Sequence, residues 1–149
     1  MSLEEKINAD LKTAMLAKEE ATVRALRAVK SALLLAKTSG GGTVTADDEI
    51  KMLQKLVKQR KESVDIYKTQ NREDLAKTEI EEIAVIEKYL PAQLSEEQVR
   101  AELNEIIAST GAKGPSDLGK VMGAASKKFA GRADNKLVSQ LVKDLLSGQ

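Results

Sequence analysis

Basic side chains near the carboxyl end offer the clearest chemistry in this sequence. Residues 113–143 carry seven lysines and arginines against two aspartates, so this segment has a net charge of +5. At its centre stand Lys120, Lys127, Lys128, Arg132 and Lys136. Lysine and arginine contact phosphate oxygens, and each phosphate they neutralise releases counterions from a nucleic acid. The segment is therefore predicted to contact a phosphate backbone such as that of RNA.

Three glycines stand among these cations: Gly119, Gly123 and Gly131. Glycine is unfavourable inside a helix, because it loses more backbone freedom on folding than any other residue. Two explanations for Gly119 and Gly123 remain open in the sequence. Either a neighbouring helix packs closely there, or a ligand backbone such as RNA approaches closely. Gly131 is placed where the helix ends, and it could allow the same approach.

The residues that most often perform catalysis are missing or otherwise explained. The chain has no Cys and no His, which removes thiol nucleophiles, Cys- or His-based zinc sites and the usual general base near neutral pH. Glu79 and Glu82 share a helix face, but oxygen-only metal sites usually gather ligands from several segments. A solvated acidic face is the favoured interpretation. We therefore predict no catalytic residue, no metal and no cofactor.

A second basic cluster lies in the first half of the chain. Lys51, Lys55 and Lys58 are spaced four and three residues apart, which puts them on one helix face. They could contact phosphates, or they could form a solvated face offset by the Glu-rich helix that follows. The second interpretation is favoured.

Apolar residues at helical spacing predict the elements that carry these side chains. Residues 1–90 contain four amphipathic segments with short links, which predicts an antiparallel N-terminal bundle. Ser2 with Glu5 predicts the start of the first helix, whose apolar stripe runs as far as Met15. Thr45 with Asp48 marks the third helix, and the glycine run at residues 40–42 is predicted to be a flexible loop.

The second half is predicted to form a separate and smaller module. Pro91 cannot continue a helix, and Ser95 with Gln98 predicts the start of the next one. Apolar spacing then predicts three helices within residues 95–147, with Ser116 capping the second of them and Asp134 or Asn135 capping the third. The prediction is an all-α chain with domains at residues 1–90 and 91–149.

Composition limits the setting in which the chain works. It has 149 residues, 42% of them hydrophobic and 2% aromatic, and no stretch approaches the roughly 20 apolar residues that a membrane span needs. The first residues lack the basic start and apolar run of a signal peptide. We expect a soluble, cytoplasmic protein with no membrane partner.

Several short motifs, in order along almost the whole chain, resemble those of YqeY-like proteins. They are residues 56–63 (LVKQRKES) with Tyr67, 71–76 (NREDLA), 89–95 (YLPAQLS), 117–123 (DLGKVMG) and 131–134 (GRAD). Each motif is weak alone, and together they identify the chain as similar to the GatB/YqeY family.

The resemblance implies a role beside RNA. The C-terminal module is similar to the tail domain of GatB, the B subunit of the glutamine-dependent aminoacyl-tRNA amidotransferase, and that tail engages tRNA. The family label, a carbon–nitrogen ligase with glutamine as amido-N-donor, belongs to parts of that enzyme absent from this sequence. We therefore expect no such activity from the isolated chain.

Two functions follow as hypotheses. The first is an accessory tRNA-binding module, in which the five cations named above contact phosphates and the three glycines permit close approach, with no DNA partner. The second is a protein-interaction module that binds a synthetase or an amidotransferase subunit through a groove of the N-terminal bundle, without touching RNA.

Overall fold

The computed structural model describes residues 2–40 and 43–148, and this part of the chain is helical, with no β-strand. Its α-helices are α1 (Leu3–Leu16), α2 (Glu20–Ser39), α3 (Ala46–Thr69), α4 (Glu73–Glu87), α5 (Glu96–Thr110), α6 (Leu118–Lys128) and α7 (Asn135–Leu146). The all-α prediction is confirmed. Gly41 and Gly42, part of the predicted glycine loop, lie outside the described residues.

The predicted capping boxes are all present. The side chains of Ser2, Thr45 and Ser95 each accept a hydrogen bond from the backbone N–H three residues later. The side-chain oxygens of Glu5, Asp48 and Gln98 complete the boxes, since each accepts a hydrogen bond from the backbone N–H of the capping residue. These bonds satisfy backbone donors that a helix start leaves without partners, so local sequence alone sets where α1, α3 and α5 begin.

The α6 helix begins differently from the prediction. Pro115–Asp117 forms a short 3-10 turn, and α6 starts at Leu118 without a side-chain cap. The Ser116 cap is therefore wrong. Asp117 is used instead to close the preceding turn, where its Oδ2 accepts the backbone N–H of Lys113 at 2.9 Å.

The chain divides into two compact units, Met1–Pro91 and Ala92–Gln149. In the first, α4 packs against α2 and α3, and α1 packs against α2. Glu4 near the start of α1 pairs with Lys37 near the end of α2, as expected for antiparallel neighbours. The antiparallel order of the whole bundle stays a prediction. The core of this unit is formed by Ile7, Ala25, Leu26, Val29, Leu33, Leu53, Val57, Val85, Ile86 and Leu90.

The apolar stripe predicted for α1 is only partly buried. Ile7 and Ala14 are buried, but Met15 is 52% exposed and the next residue, Leu16, is 78% exposed. Helix α1 packs mainly against α2 alone. Because α2 covers only part of the apolar face of α1, the apolar side chains at the end of α1, Met15 and Leu16, remain exposed to solvent.

In the second unit, α5, α6 and α7 surround the single phenylalanine of the chain. Phe129 is fully buried, and it packs with Val99, Leu103, Ile106, Val121, Ala125, Ala133, Val138, Leu141, Val142 and Leu146. Gly111 closes α5 in the left-handed region at φ 70°. Among the described helices, none is long and apolar enough to cross a membrane.

Candidate nucleic-acid interface

The exposed face of α6 brings together three of the eight predicted site residues. Lys120, Gly123 and Lys127 are exposed, while Val121 and Ala125 face the core. Residues three and seven positions apart share a helix face, so Gly123 lies between the two lysines. At 1.5 Å rise per residue, Lys120 and Lys127 are about 10 Å apart along the helix axis.

Close packing does not explain the glycines of α6. A Cβ built at Gly119 or at Gly123 would meet no described atom within 4 Å, so alanine would fit at either position. Of the two explanations left open by the sequence, close packing against another helix of the described residues is therefore ruled out. Both glycines leave bare backbone facing solvent, and at Gly123, in the interior of α6, this costs about 1 kcal/mol relative to alanine.

Gly131 has a different reason to be glycine. Its φ of 75° lies in the left-handed region, which side chains disfavour. The Gly131 carbonyl accepts a hydrogen bond from the Gln93 side-chain amide at 2.7 Å, and the next carbonyl, that of Arg132, accepts the Leu94 N–H at 2.9 Å. The turn between α6 and α7 is thus fixed to the segment that precedes α5.

The remaining predicted cations lie around the carboxyl end of α6. Lys128 ends that helix and places its Nζ 4.0 Å from the Glu105 carboxylate of α5. Arg132 is half-buried in the turn, and Lys136 is exposed in the first turn of α7. Lys120, Lys127 and Lys136 form no ion pair with a carboxylate of the described residues.

The basic residues of α3 are used differently. Arg60 donates from Nε to Glu82 Oε1 of α4 at 3.3 Å, and from a terminal nitrogen to the Leu56 carbonyl at 3.0 Å. Lys61 lies 3.9 Å from Glu87, also of α4. Part of the charge on α3, that of Arg60 and Lys61, is therefore balanced by α4. The solvated face formed by Lys51, Lys55 and Lys58 stays a prediction.

Glu82 is the centre of this charged contact. It also lies 3.7 Å from Arg24 of α2, and only 12% of its side chain is exposed. Burial raises the pKa of neighbouring Glu79, the negative charge of Glu82 raises it further, and Arg60 opposes both. In the part of the chain that the structure describes, no three acidic side chains come together to hold a metal ion.

One exposed apolar surface was not predicted from the sequence. It lies along α1 and α2, where Met15 and Leu16 stay in solvent and Leu34 of α2 is 64% exposed. The available signal was the width of the apolar pattern on α1, which includes Leu16 beyond the predicted stripe.

Comparison with known proteins gives a family and several relatives. A model of the YqeY-like protein family matches residues 4–146. Three relatives carry the name altered inheritance of mitochondria protein 41, mitochondrial. The one from Clavispora lusitaniae is 32% identical over 103 residues, which cover 68% of this chain and 60% of the relative. The one from Meyerozyma guilliermondii is 32% identical over 145 residues, or 93% of this chain and 73% of the relative.

The third relative, from Pyrenophora tritici-repentis, is 24% identical over 151 residues, which cover 97% of this chain and 81% of the relative. The names of all three place them in mitochondria, so the cytoplasmic prediction is wrong. It depended on the composition of the first residues, and the fold and surface of a helical chain do not record its compartment.

Proposed function

The chain belongs to the YqeY-like protein family, and we propose that it is an accessory module that binds tRNA through α6 and the turn that follows. One observation carries the proposal. Lys120 and Lys127, which have no carboxylate partner among the described residues, flank Gly123, where the helix backbone is open to solvent. Unpaired cations beside bare backbone suit a phosphate strand that lies against the helix.

The aromatic residues favour phosphate contact over base stacking. Proteins that stack bases present aromatic side chains at the surface. Phe129, the single aromatic residue of the C-terminal unit, is fully buried. Recognition through backbone and shape, as in proteins that bind RNA helices, needs cations and hydroxyl contacts instead.

In this proposal the glycines let the RNA strand lie close to the axis of α6. Side chains at positions 119 and 123 would hold a strand away from the helix axis, while glycine lets it reach the stems of Lys120 and Lys127. Gly131 serves the site through the turn that places Arg132 and Lys136. The resemblance of the C-terminal module, about residues 95–149, to the tail of the amidotransferase B subunit supports the same role. For this chain we propose the RNA contact and not the amide-forming reaction.

The test is binding of purified protein to total tRNA across a range of salt concentrations, with double-stranded DNA as competitor. The test variant replaces Lys120, Lys127, Lys128, Arg132 and Lys136 with Gln. A matched control replaces five exposed lysines of the N-terminal unit, namely Lys51, Lys55, Lys68, Lys77 and Lys88, with Gln. The two variants change net charge equally, so any difference between them reports position.

We expect the test variant to lose about a hundredfold in affinity at low salt. Its plot of log affinity against log salt should flatten by roughly 0.7–0.9 for each phosphate contact removed. The control should bind nearly as tightly as the parent. Equal losses in both variants, or displacement of tRNA by DNA at matched concentration, would contradict a tRNA site on α6.

The second candidate is a protein-interaction module with no RNA contact, and the exposed apolar residues of α1 and α2 favour it. Under this hypothesis the parent protein fails to bind tRNA even at low salt. It then captures a synthetase or an amidotransferase subunit from extract, in a complex that survives nuclease treatment.

A further inference from the structure

The face that α1 and α2 share contains two adjoining hollows, which we call the α1–α2 groove. The first, of about 380 Å³, is lined by Asn8, Leu11, Lys12, Met15, Leu16 and Lys30. The second, of about 390 Å³, is lined by Met15, Lys18, Glu20, Val23, Arg24 and Arg27. Met15 lines both hollows, so the two adjoin at that side chain.

The groove exposes more apolar surface than the fold of this unit requires. Met15 and Leu16, which both line the first hollow, are 52% and 78% exposed. Single exposed apolar residues are ordinary, but adjacent ones that line a hollow often mark an interaction site. A methionine at the centre suits such a site, since its flexible side chain adapts to different partners.

The charges around the groove are almost all positive. Lys12, Lys18, Arg27 and Lys30 form no ion pair with a carboxylate of the described residues. Arg24 instead lies 3.7 Å from Glu82 and 4.0 Å from Glu81, and Glu20 is the one acid in the lining. An occupant that covers the apolar residues must therefore place negative charge beside these cations.

The lining residues recur every three or four positions along α1 and α2, so they form one stripe on each helix. On α2, Val23, Arg27 and Lys30 recur at steps of four and three. On α1, Leu11 and Met15 lie one turn apart. Two such stripes on paired helices form a trough into which an amphipathic helix places its apolar side.

We propose that the α1–α2 groove docks an acidic amphipathic helix of a partner protein. The partner segment presents apolar side chains at positions i, i+3 or i+4, and i+7, where they contact Met15 and Leu16. Aspartates or glutamates flank this stripe and reach Lys12 and Lys30 on one side and Arg27 on the other. The site is in the N-terminal unit, and the RNA surface proposed on α6 is in the C-terminal unit.

A selection from a display library of random 16-residue peptides, with the 149-residue chain as bait, tests the proposal. The enriched peptides are expected to be helical and acidic, with the apolar spacing given above. Met15→Glu should weaken their binding about tenfold or more, as the loss of a central contact does at interfaces. The matched control is Ile66→Glu on α3, because Ile66 is 55% exposed and lies outside the groove. It should leave the affinity unchanged.

A charge reversal adds a direct test of the electrostatic argument. The double variant Lys12→Glu, Lys30→Glu should reject the acidic peptides and accept versions in which their acids are replaced by lysine. Helical content measured by circular dichroism should remain that of the parent, since all the substituted side chains are exposed.

Several results would overturn the proposal. They are no enrichment over empty support, enriched peptides without acidic residues, or equal binding by the Met15→Glu and Ile66→Glu variants. A dimer of the parent that Met15→Glu dissociates in ultracentrifugation would assign the groove to a second copy. Binding to phosphatidylserine vesicles that Met15→Glu abolishes, without any peptide binding, would assign it to a membrane. The five-residue α6 variant should bind the selected peptides normally, which separates this site from the RNA site.

Discussion

Helices α3 and α6 carry the same kinds of basic residue, and the fold uses them in different ways. On α3, Arg60 and Lys61 lie against Glu82 and Glu87 of the next helix. On α6, Lys120 and Lys127 project into solvent beside glycines that no neighbour requires. The comparison of these four residues shows that the availability of a basic side chain to a ligand depends on which carboxylates the fold places beside it.

The largest effect expected on this comparison comes from breaking the charged contact on the α3 side. Glu82→Gln should destabilise the protein by about 1–3 kcal/mol, because it leaves two arginines with less charge compensation at a mostly buried site. Urea unfolding of the parent and the variant measures the change.

The matched control for that experiment is Glu105→Gln, beside α6. Glu105 is 78% exposed and its carboxylate lies 4.0 Å from Lys128, so its loss should change stability by less than about 0.5 kcal/mol. Similar losses from both substitutions would remove the distinction between the two helices.

A smaller effect of opposite sign is expected on α6. Gly123→Ala should stabilise the protein by about 0.5–1 kcal/mol, since the added methyl group meets nothing and alanine favours the helix. The same change should weaken tRNA binding if close approach to the backbone matters. Thermal unfolding and the tRNA titration measure the two quantities on one variant.

Gly131→Ala is the control, because its left-handed backbone should make that substitution destabilising. A Gly123→Ala protein that is more stable and still binds tRNA normally would leave the lysines as the site and remove the glycine from it.

The smallest effect is a loss of stability at alkaline pH that arises in the N-terminal unit. Burial raises the pKa of Tyr89 above its ordinary value of 10.0, and the hydrogen bond to Asp10 and the charge of that carboxylate raise it further. The unfolded chain therefore loses this proton first, so the contribution to stability is complete below about pH 10 and falls as pH rises above it.

Tyr89→Phe should remove that alkaline loss, and Tyr67→Phe should keep it. Melting temperatures measured from about pH 8 to about pH 11 test this. Residues 92–149 contain no tyrosine, so the C-terminal unit should not share the effect. An unchanged alkaline slope in Tyr89→Phe would contradict the role of Tyr89 in this effect.

Local features of the fold could be predicted because their causes are local. Ser95 and Gln98 satisfy each other's backbone donors within one turn, and Gly111 is required where the backbone turns left-handed, so both are visible in the sequence. The position of Met15 could not be predicted. Its spacing fits a buried stripe, and its exposure depends on how many helices pack against α1.

The features of the candidate site also fall into two groups, those with local causes and those that depend on the packing of distant residues. The helical class, the starts of α1, α3 and α5, and the concentration of positive charge in residues 113–143 can all be read from the sequence. The fold was needed to show that Arg60 has a carboxylate partner, that Lys120 and Lys127 have none among the described residues, and that Gly123 faces open space. The physical reason is range: capping and helical periodicity act within a few residues, while burial and ion pairing depend on side chains that distant parts of the chain bring together.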